Sequence, residues 1–350
     1  MKLSAALLSV GLLPGLLLGA CASNGVSVPW TSDLLVVEKS GARMVLRDPA
    51  NGAVRRVYET GAGPHEVSIS FDSRLAVIAD YGGKEPGSTL TVCDLVAGSV
   101  VRTIDLGAAV RPHGVAFLTN KEGAQLVAVT AELRDQILVV DISTGQIVRT
   151  LAAGGELPHM LVASSDGKQL YVTCMKSGEV VQLDAVTGTV LARAATGAEP
   201  EGLALTPDGR ELWVGNRASD ELVVLDAANL AELARIPVGD MPIRVECTPD
   251  GRMVLCSNAN SGDLSLVSRS TRKELRRLKL SPGADSGAPV GIEIEPGSRY
   301  AFVALTRLDQ IAVVDLLAES VRERIEGGAE PDGMAWASGG RPFRSLDGRR

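Results

Sequence analysis

The sequence predicts an all-β fold, a seven-bladed β-propeller with four antiparallel strands per blade. Two observations predict it. A proline that opens a buried strand recurs seven times, at Pro64, Pro112, Pro158, Pro200, Pro242, Pro289 and Pro331. The spacings are 48, 46, 42, 42, 47 and 42 residues, and a period in the forties with several short strands per period signals a propeller. The two ends of the repeat array are also complementary. Residues 33–61 read as a second, third and fourth strand with no first, and Pro331 to Ser338 read as a first strand alone. Three N-terminal strands plus one C-terminal strand complete the seventh blade and leave no sheet edge open where the ring closes.

Residues 200–241 give the clearest single blade. Gly202–Thr206 is a short alternating strand, and Pro207-Asp208-Gly209-Arg210 is a tight turn. Glu211–Asn216 is the second strand, Glu221–Asp226 the third, and Ala231–Gly239 contains the fourth. The other copies carry second strands such as LAVIADY (75–81) and third strands such as ILVVDI (137–142). The aspartate near the end of the third strand in most copies, as in LTVCDL (90–95), ILVVDI (137–142) and IAVVDL (311–316), fits a hairpin corner. No segment has the length and period of a helix.

Composition narrows the function classes. Aromatic residues make up 3% of the chain, so the core must be built from aliphatic side chains. The net charge is −7 with no basic run, a poor basis for nucleic-acid binding, which needs clustered Lys or Arg against phosphate. Four cysteines follow Cys21, and only Cys247 and Cys256 lie close in sequence; a bridge between them and buried apolar thiols both remain open. No C-x-x-C, G-x-S-x-G or P-loop occurs.

Residues 1–20 read as an export signal: Lys2, then an apolar run broken by Gly11, Pro14 and Gly15 and too short to span a bilayer. The run ends in Leu18-Gly19-Ala20-Cys21, which resembles the lipobox of bacterial lipoproteins. That resemblance implies cleavage before Cys21, a lipid on its thiol and a place in the cell envelope on the periplasmic side. Ala22 after the cysteine favours the outer membrane by the same family's sorting habit. Residues 21–31 then form a tether, 32–338 the propeller and 339–350 a polar tail.

The repeat phrases resemble a known family. LYVT (170–173), TPDGRELWVGN (206–216) and ELVVLD (221–226) are similar to the YVTN repeat, and GAGPHEVSIS (61–70) resembles the YncE-like exported bacterial propellers. The likeness spans residues 33–338. It implies the fold, and a range of functions: surface-layer proteins, lactone hydrolases, and propellers of periplasmic quinoprotein or haem enzymes. Single-stranded DNA binding, known for a YncE-like relative, is not carried over, because this chain lacks a basic, aromatic-studded groove.

Candidate chemistry gathers where the prolines stand. In a propeller the first strands line a central channel, and the residues after the seven prolines ring one mouth of it. In ring order they are Asp332, His65, His113, His159, Glu201, Ile243 and Val290. The chain has three histidines, and all of them fall in this slot. Three imidazoles with a carboxylate can hold a divalent transition metal, with Glu132 or Glu201 as acid–base in a hydrolase or lyase. The same groups can serve a ligand-binding scaffold, and fold analogy alone adds an accessory to a periplasmic quinoprotein or haem enzyme system. Tyr81, Asn216, Arg217, Arg244 and Asp332 are the candidate ligand contacts, the two arginines suiting a small anion. A periplasmic protein partner is the other expected occupant, and the propeller is expected to be monomeric. Glycine follows the ring residue at Gly114, Gly202, Gly291 and Gly333, which points to crowding of the inner strands.

Overall fold

The computed structural model describes residues 32–108, 110–118 and 125–337. The proposed signal, Cys21, the tether and the tail lie outside the described residues. Seven four-stranded antiparallel sheets form the blades of a propeller. Blade one joins Asp33–Glu38, Arg43–Arg47 and Val54–Glu59 to the C-terminal inner strand Pro331–Ala337, as the complementary ends require. Blades two to seven open on inner strands Pro64–Ile69, Pro112–Leu118, Pro158–Ala163, Pro200–Leu205, Pro242–Cys247 and Pro289–Ile294. The helical content among the described residues is two single 3-10 turns, Glu132–Arg134 and Thr306–Leu308.

The second and third strands of each blade are buried on both faces, because each sheet packs between two neighbours. They therefore read as continuous apolar runs instead of alternating ones. The core lies in the interfaces between blades. One such layer joins Val77, Leu90 and Val92 of blade two to Val127, Val129 and Leu138 of blade three. The fourth strands face solvent. The aspartates that end the third strands do turn chemistry: Asp94 Oδ1 accepts N–H bonds from Val96 (2.9 Å) and Ala97 (2.7 Å), and Asp184 repeats this with Val186 and Thr187. Cys93, Cys174, Cys247 and Cys256 are buried free thiols, so of the two alternatives for Cys247 and Cys256 the chain takes the unbridged one.

The inner strands are held in a ring by a repeated clamp. A hydroxyl from one blade's second strand donates to the carbonyl of the next blade's ring residue: Thr130 Oγ1 to His159 O (2.8 Å), Thr173 to Glu201 O (3.2 Å) and Ser257 to Val290 O (2.7 Å). The glycines beside the ring slot permit the same close approach. A Cβ on Gly291 would stand 2.0 Å from Asp332 O, and one on Gly333 2.3 Å from His65 O.

Every inner strand is entered through the same corner. The residue before each ring proline has a left-handed φ, +50° at Arg111, +58° at Leu157 and +55° at Glu199, although six of the seven are not glycine. Its carbonyl accepts the N–H of a residue at or just past the end of that blade's second strand. The seven donors are Lys39, Tyr81, Glu132, Met175, Arg217, Ala259 and Thr306. The corner therefore pins a second ring of side chains directly beside the first.

Candidate functional site at the channel mouth

The two rings are in register, blade by blade. Blade one presents Asp332 with Lys39, blade two His65 with Tyr81, blade three His113 with Glu132, blade four His159 with Met175 and blade five Glu201 with Arg217. Blades six and seven present Ile243 with Ala259 and Val290 with Thr306. Five contiguous blades are thus rich in polar groups and two are not.

The three imidazoles stack. Ring centroids of His113 and His159 are 3.7 Å apart, and those of His65 and His113 4.3 Å. Tyr81 packs nearly perpendicular against both His65 (5.1 Å) and His113 (5.3 Å). Arg111 and Lys39 lie over the Tyr81 ring at 5.0 and 5.7 Å. Burial, with help from Glu132, pushes the Tyr81 hydroxyl up to about 12.

The histidines differ in protonation. His159 Nδ1 lies 2.6 Å from Glu132 Oε1, and its Nε2 3.6 Å from Glu201 Oε1. Burial alone would strip its proton, but the two carboxylates outweigh burial and raise it to about 9. It is an imidazolium at neutral pH. His113, wholly enclosed, is held well below 6.5 by burial and by the charges of His159 and His65. It is neutral, and its Nδ1 is buried without a hydrogen-bond partner.

His65 Nδ1 is 3.1 Å from Asp332 Oδ2 and 3.5 Å from Glu66 Oε1, yet it too makes no hydrogen bond of acceptable angle. These separations are close to those between two ligands of one ion, about 3.3 Å for tetrahedral bonds of roughly 2.0–2.1 Å. Among the described residues, the groups whose ligand atoms lie within 4.8 Å of one another are His65–Glu66–His113 and His113–Glu132–His159. The three histidines predicted from sequence as one ligand set therefore divide into two carboxylate-bearing sets that share His113.

Arg244 does not face the mouth as a free cation. It crosses the channel to pair with the Glu66 carboxylate, and its Nη1 is 3.0 Å from the Met160 sulfur. Burial raises the Glu66 carboxyl, but Arg244 and His65 more than reverse that and hold it at about 2. Arg217 is likewise engaged, 2.9 Å from Glu201 and 2.8 Å from Glu199. Asn216 is buried, its amide donating to Thr196 O (2.9 Å) and to Glu221 (3.3 Å). Asp332 lies 3.5 Å from Lys39 Nζ and keeps one buried oxygen unpartnered. Glu66, Met160, Lys39 and Arg111 were not among the sequence-predicted residues. The first two had a signal: with Arg244 they are the three large residues in the slot that elsewhere holds glycine.

The comparisons agree on architecture. The profile of the cytochrome D1 heme domain family matches residues 121–256, well under half of the chain. Among solved structures, hydrazine synthase of Kuenenia stuttgartiensis superposes with a TM-score of 0.67 at 18% identity, covering 79% of this chain and 90% of that one. The dihydro-heme d1 dehydrogenase NirN, solved in complex with DHE, superposes at 0.65 and 16% identity, covering 88% of this chain and 75% of its own. At such identities the likeness is one of fold. No curated protein sequence matches the chain.

Proposed function

We propose that this propeller is a ligand-binding scaffold of the bacterial cell envelope, lipid-anchored through Cys21, whose mouth holds a divalent transition metal between His65, His113 and Glu66. One observation carries the metal: His113 Nδ1 is buried without a hydrogen-bond partner, and the ligand atoms of His65, Glu66 and His113 lie within 4.8 Å of one another. An unpartnered buried polar atom is costly and needs an explanation, and a metal ion supplies one. His113, neutral as it stands, can donate a lone pair without first losing a proton. Arg217 and Arg244 already have carboxylate partners. The ion itself would supply the positive charge that a small anionic ligand needs.

A hydrolase of the lactonase kind is the second reading, favoured by the Glu132–His159 pair at 2.6 Å, which stacks on His113 and can pass a proton. A haem-related ligand has the support of the matched family and of one neighbour, the dihydro-heme d1 dehydrogenase. The described side chains do not fit it as they stand. Of the histidines, the matched segment contributes His159, which carries a proton between two carboxylates. Tyr81 packs across the other two.

Metal content of protein purified without chelator tests the proposal, together with the visible spectrum after loading cobalt. One equivalent of metal, lost in His113→Ala and Glu66→Gln, is expected. Metal-free wild type that binds added cobalt no better than His113→Ala would overturn it, and a Soret band would favour haem. For the anchor, Cys21→Ser should move the protein from the membrane fraction to the soluble one.

A further inference from the structure

The histidine mouth has an opposite face, and the chain leaves the propeller there. In blade one Asp33 pairs with Ala337 and Glu38 with Pro331, so the first described strand starts at the far end from Asp332. A six-residue strand separates the two ends by roughly 17 Å. The residues that precede Asp33 therefore attach at the base, the face away from the mouth.

The base is also where the most exposed apolar side chains stand. Among the described residues, four large hydrophobic side chains are at least 60% exposed: Leu317 (80%), Val96 (65%), Phe71 (62%) and Val186 (60%). Phe71 follows Ile69, the end of an inner strand, and the other three lie in the turns after Asp94, Asp184 and Asp315. Those aspartates pair with Leu75, Gln169 and Tyr300, where second strands begin. All four residues are thus on the base. They belong to blades two, four and seven, spread around the ring like three feet and not bunched in one patch. The turns beside them carry both signs: Asp94 pairs with Arg74, Asp166 with Lys168 and Asp315 with Arg299, while Asp184 is held by backbone N–H groups of its own turn.

We infer that the base is a membrane-docking face, with Phe71, Val96, Val186 and Leu317 entering the headgroup layer of a zwitterionic lipid surface. The inference rests on the lipid-anchor reading for its tether. Twelve residues, 21–32, cannot span more than about 40 Å even fully extended, less than the width of a domain of this size. So short a link brings the base, and not the mouth, against the bilayer. A few apolar residues add modest binding to a single anchor, which needs a second contact for stable, oriented attachment. The candidate site then points away from the membrane, open to soluble partners.

The test uses the full chain in isolated membranes of the expressing bacterium. The native cysteines of the propeller are buried, so single exposed cysteines can be labelled with an environment-sensitive maleimide dye. Phe71→Cys, Val96→Cys, Val186→Cys and Leu317→Cys report the base, and Lys84→Cys reports the mouth side. Quenching by spin-labelled phosphatidylcholine should be at least about threefold stronger at the base positions than at Lys84 and insensitive to salt. Equal quenching at all five, or stronger quenching at Lys84, would overturn the inference. Cys21→Ser separates the two ideas. Release with base-side quenching in the parent supports both. Retention with base-side quenching removes the lipid anchor and leaves the docking face. Release with no base-side quenching keeps the anchor and removes the docking face.

Discussion

Arg244 of blade six and Glu66 of blade two occupy the same repeat slot, 178 residues apart, and form an ion pair across the channel. Both are buried. Removing one partner leaves the other charge without compensation, which costs about 3–5 kcal/mol, whereas removing both costs far less. Arg244→Met should therefore lower unfolding free energy by about 3 kcal/mol. The double variant Arg244→Met, Glu66→Gln should recover most of that loss. Urea denaturation of the four proteins in a cycle measures it; strict additivity would show that the two groups do not depend on each other.

The glycine neighbours of the ring residues predict a second effect. A Cβ at Gly291 meets the Asp332 carbonyl at 2.0 Å, and backbone cannot yield as a flexible side chain does. Gly291→Ala should destabilise the protein by about 3 kcal/mol, the range of overpacked cores. Gly209→Ala is a contrasting control, since no atom lies within 4 Å of its Cβ and its left-handed φ alone opposes the change. A smaller loss at Gly291 than at Gly209 in thermal unfolding would contradict the crowding account.

His159 gives a pH dependence with a definite sign. Its folded value is raised to about 9, above the ordinary 6.5, by Glu132 and Glu201 acting against burial. The native state therefore holds the proton more tightly. Its contribution is full below 6.5 and is lost as pH rises towards 9. In metal-free protein, the stability difference between wild type and His159→Gln should shrink across that window. A difference that stays constant through it would mean that His159 is neutral in the folded chain.

Most of the fold was legible because it is repeated. Seven prolines mark the seven blades, a third-strand aspartate recurs in most of them, and the blade split between the two ends closes the ring, so an error in any one copy is corrected by the others. The site was half legible for the same reason. The ring slot shows its seven residues in plain alignment, so Asp332 through Glu201 stood out. Two things hid the rest. The glycine slot shows four glycines as its pattern, and its three exceptions, Glu66, Met160 and Arg244, only gain meaning when the ring closes and they touch. Protonation was also out of reach. His113 and His159 are the same residue in the same slot, and what separates them is a neighbour from another blade, Glu132 at 2.6 Å from one and not the other. The left-handed corner before each proline was hidden as well, because a residue preceding proline is ordinarily extended.

The far side of the Arg244–Glu66 crossing holds a last testable pair. Glu246 and Glu293 extend from the inner strands of adjacent blades into the channel, and Glu246 helps to raise the Glu293 carboxyl. Burial, only partly offset by Arg244, pushes Glu246 up to about 7, and burial with Glu246 nearby holds Glu293 well above the ordinary carboxylate range. For a carboxyl raised in the fold, the unfolded chain ionises first. Native stability therefore falls as pH climbs from 4.5 to about 7 and then levels off for that group. Glu246→Gln removes this slope. Near pH 4 the variant and wild type should be about equally stable. By about pH 8 the variant should be the more stable by about 2 kcal/mol, a value reduced from the full shift because water can enter the channel. Glu293 should titrate closer to normal in the variant, since its charged neighbour is gone. Stability curves that run parallel from about pH 4 to about pH 8 would show that Glu246 is solvated in the fold and that water reaches the channel below the ion pair.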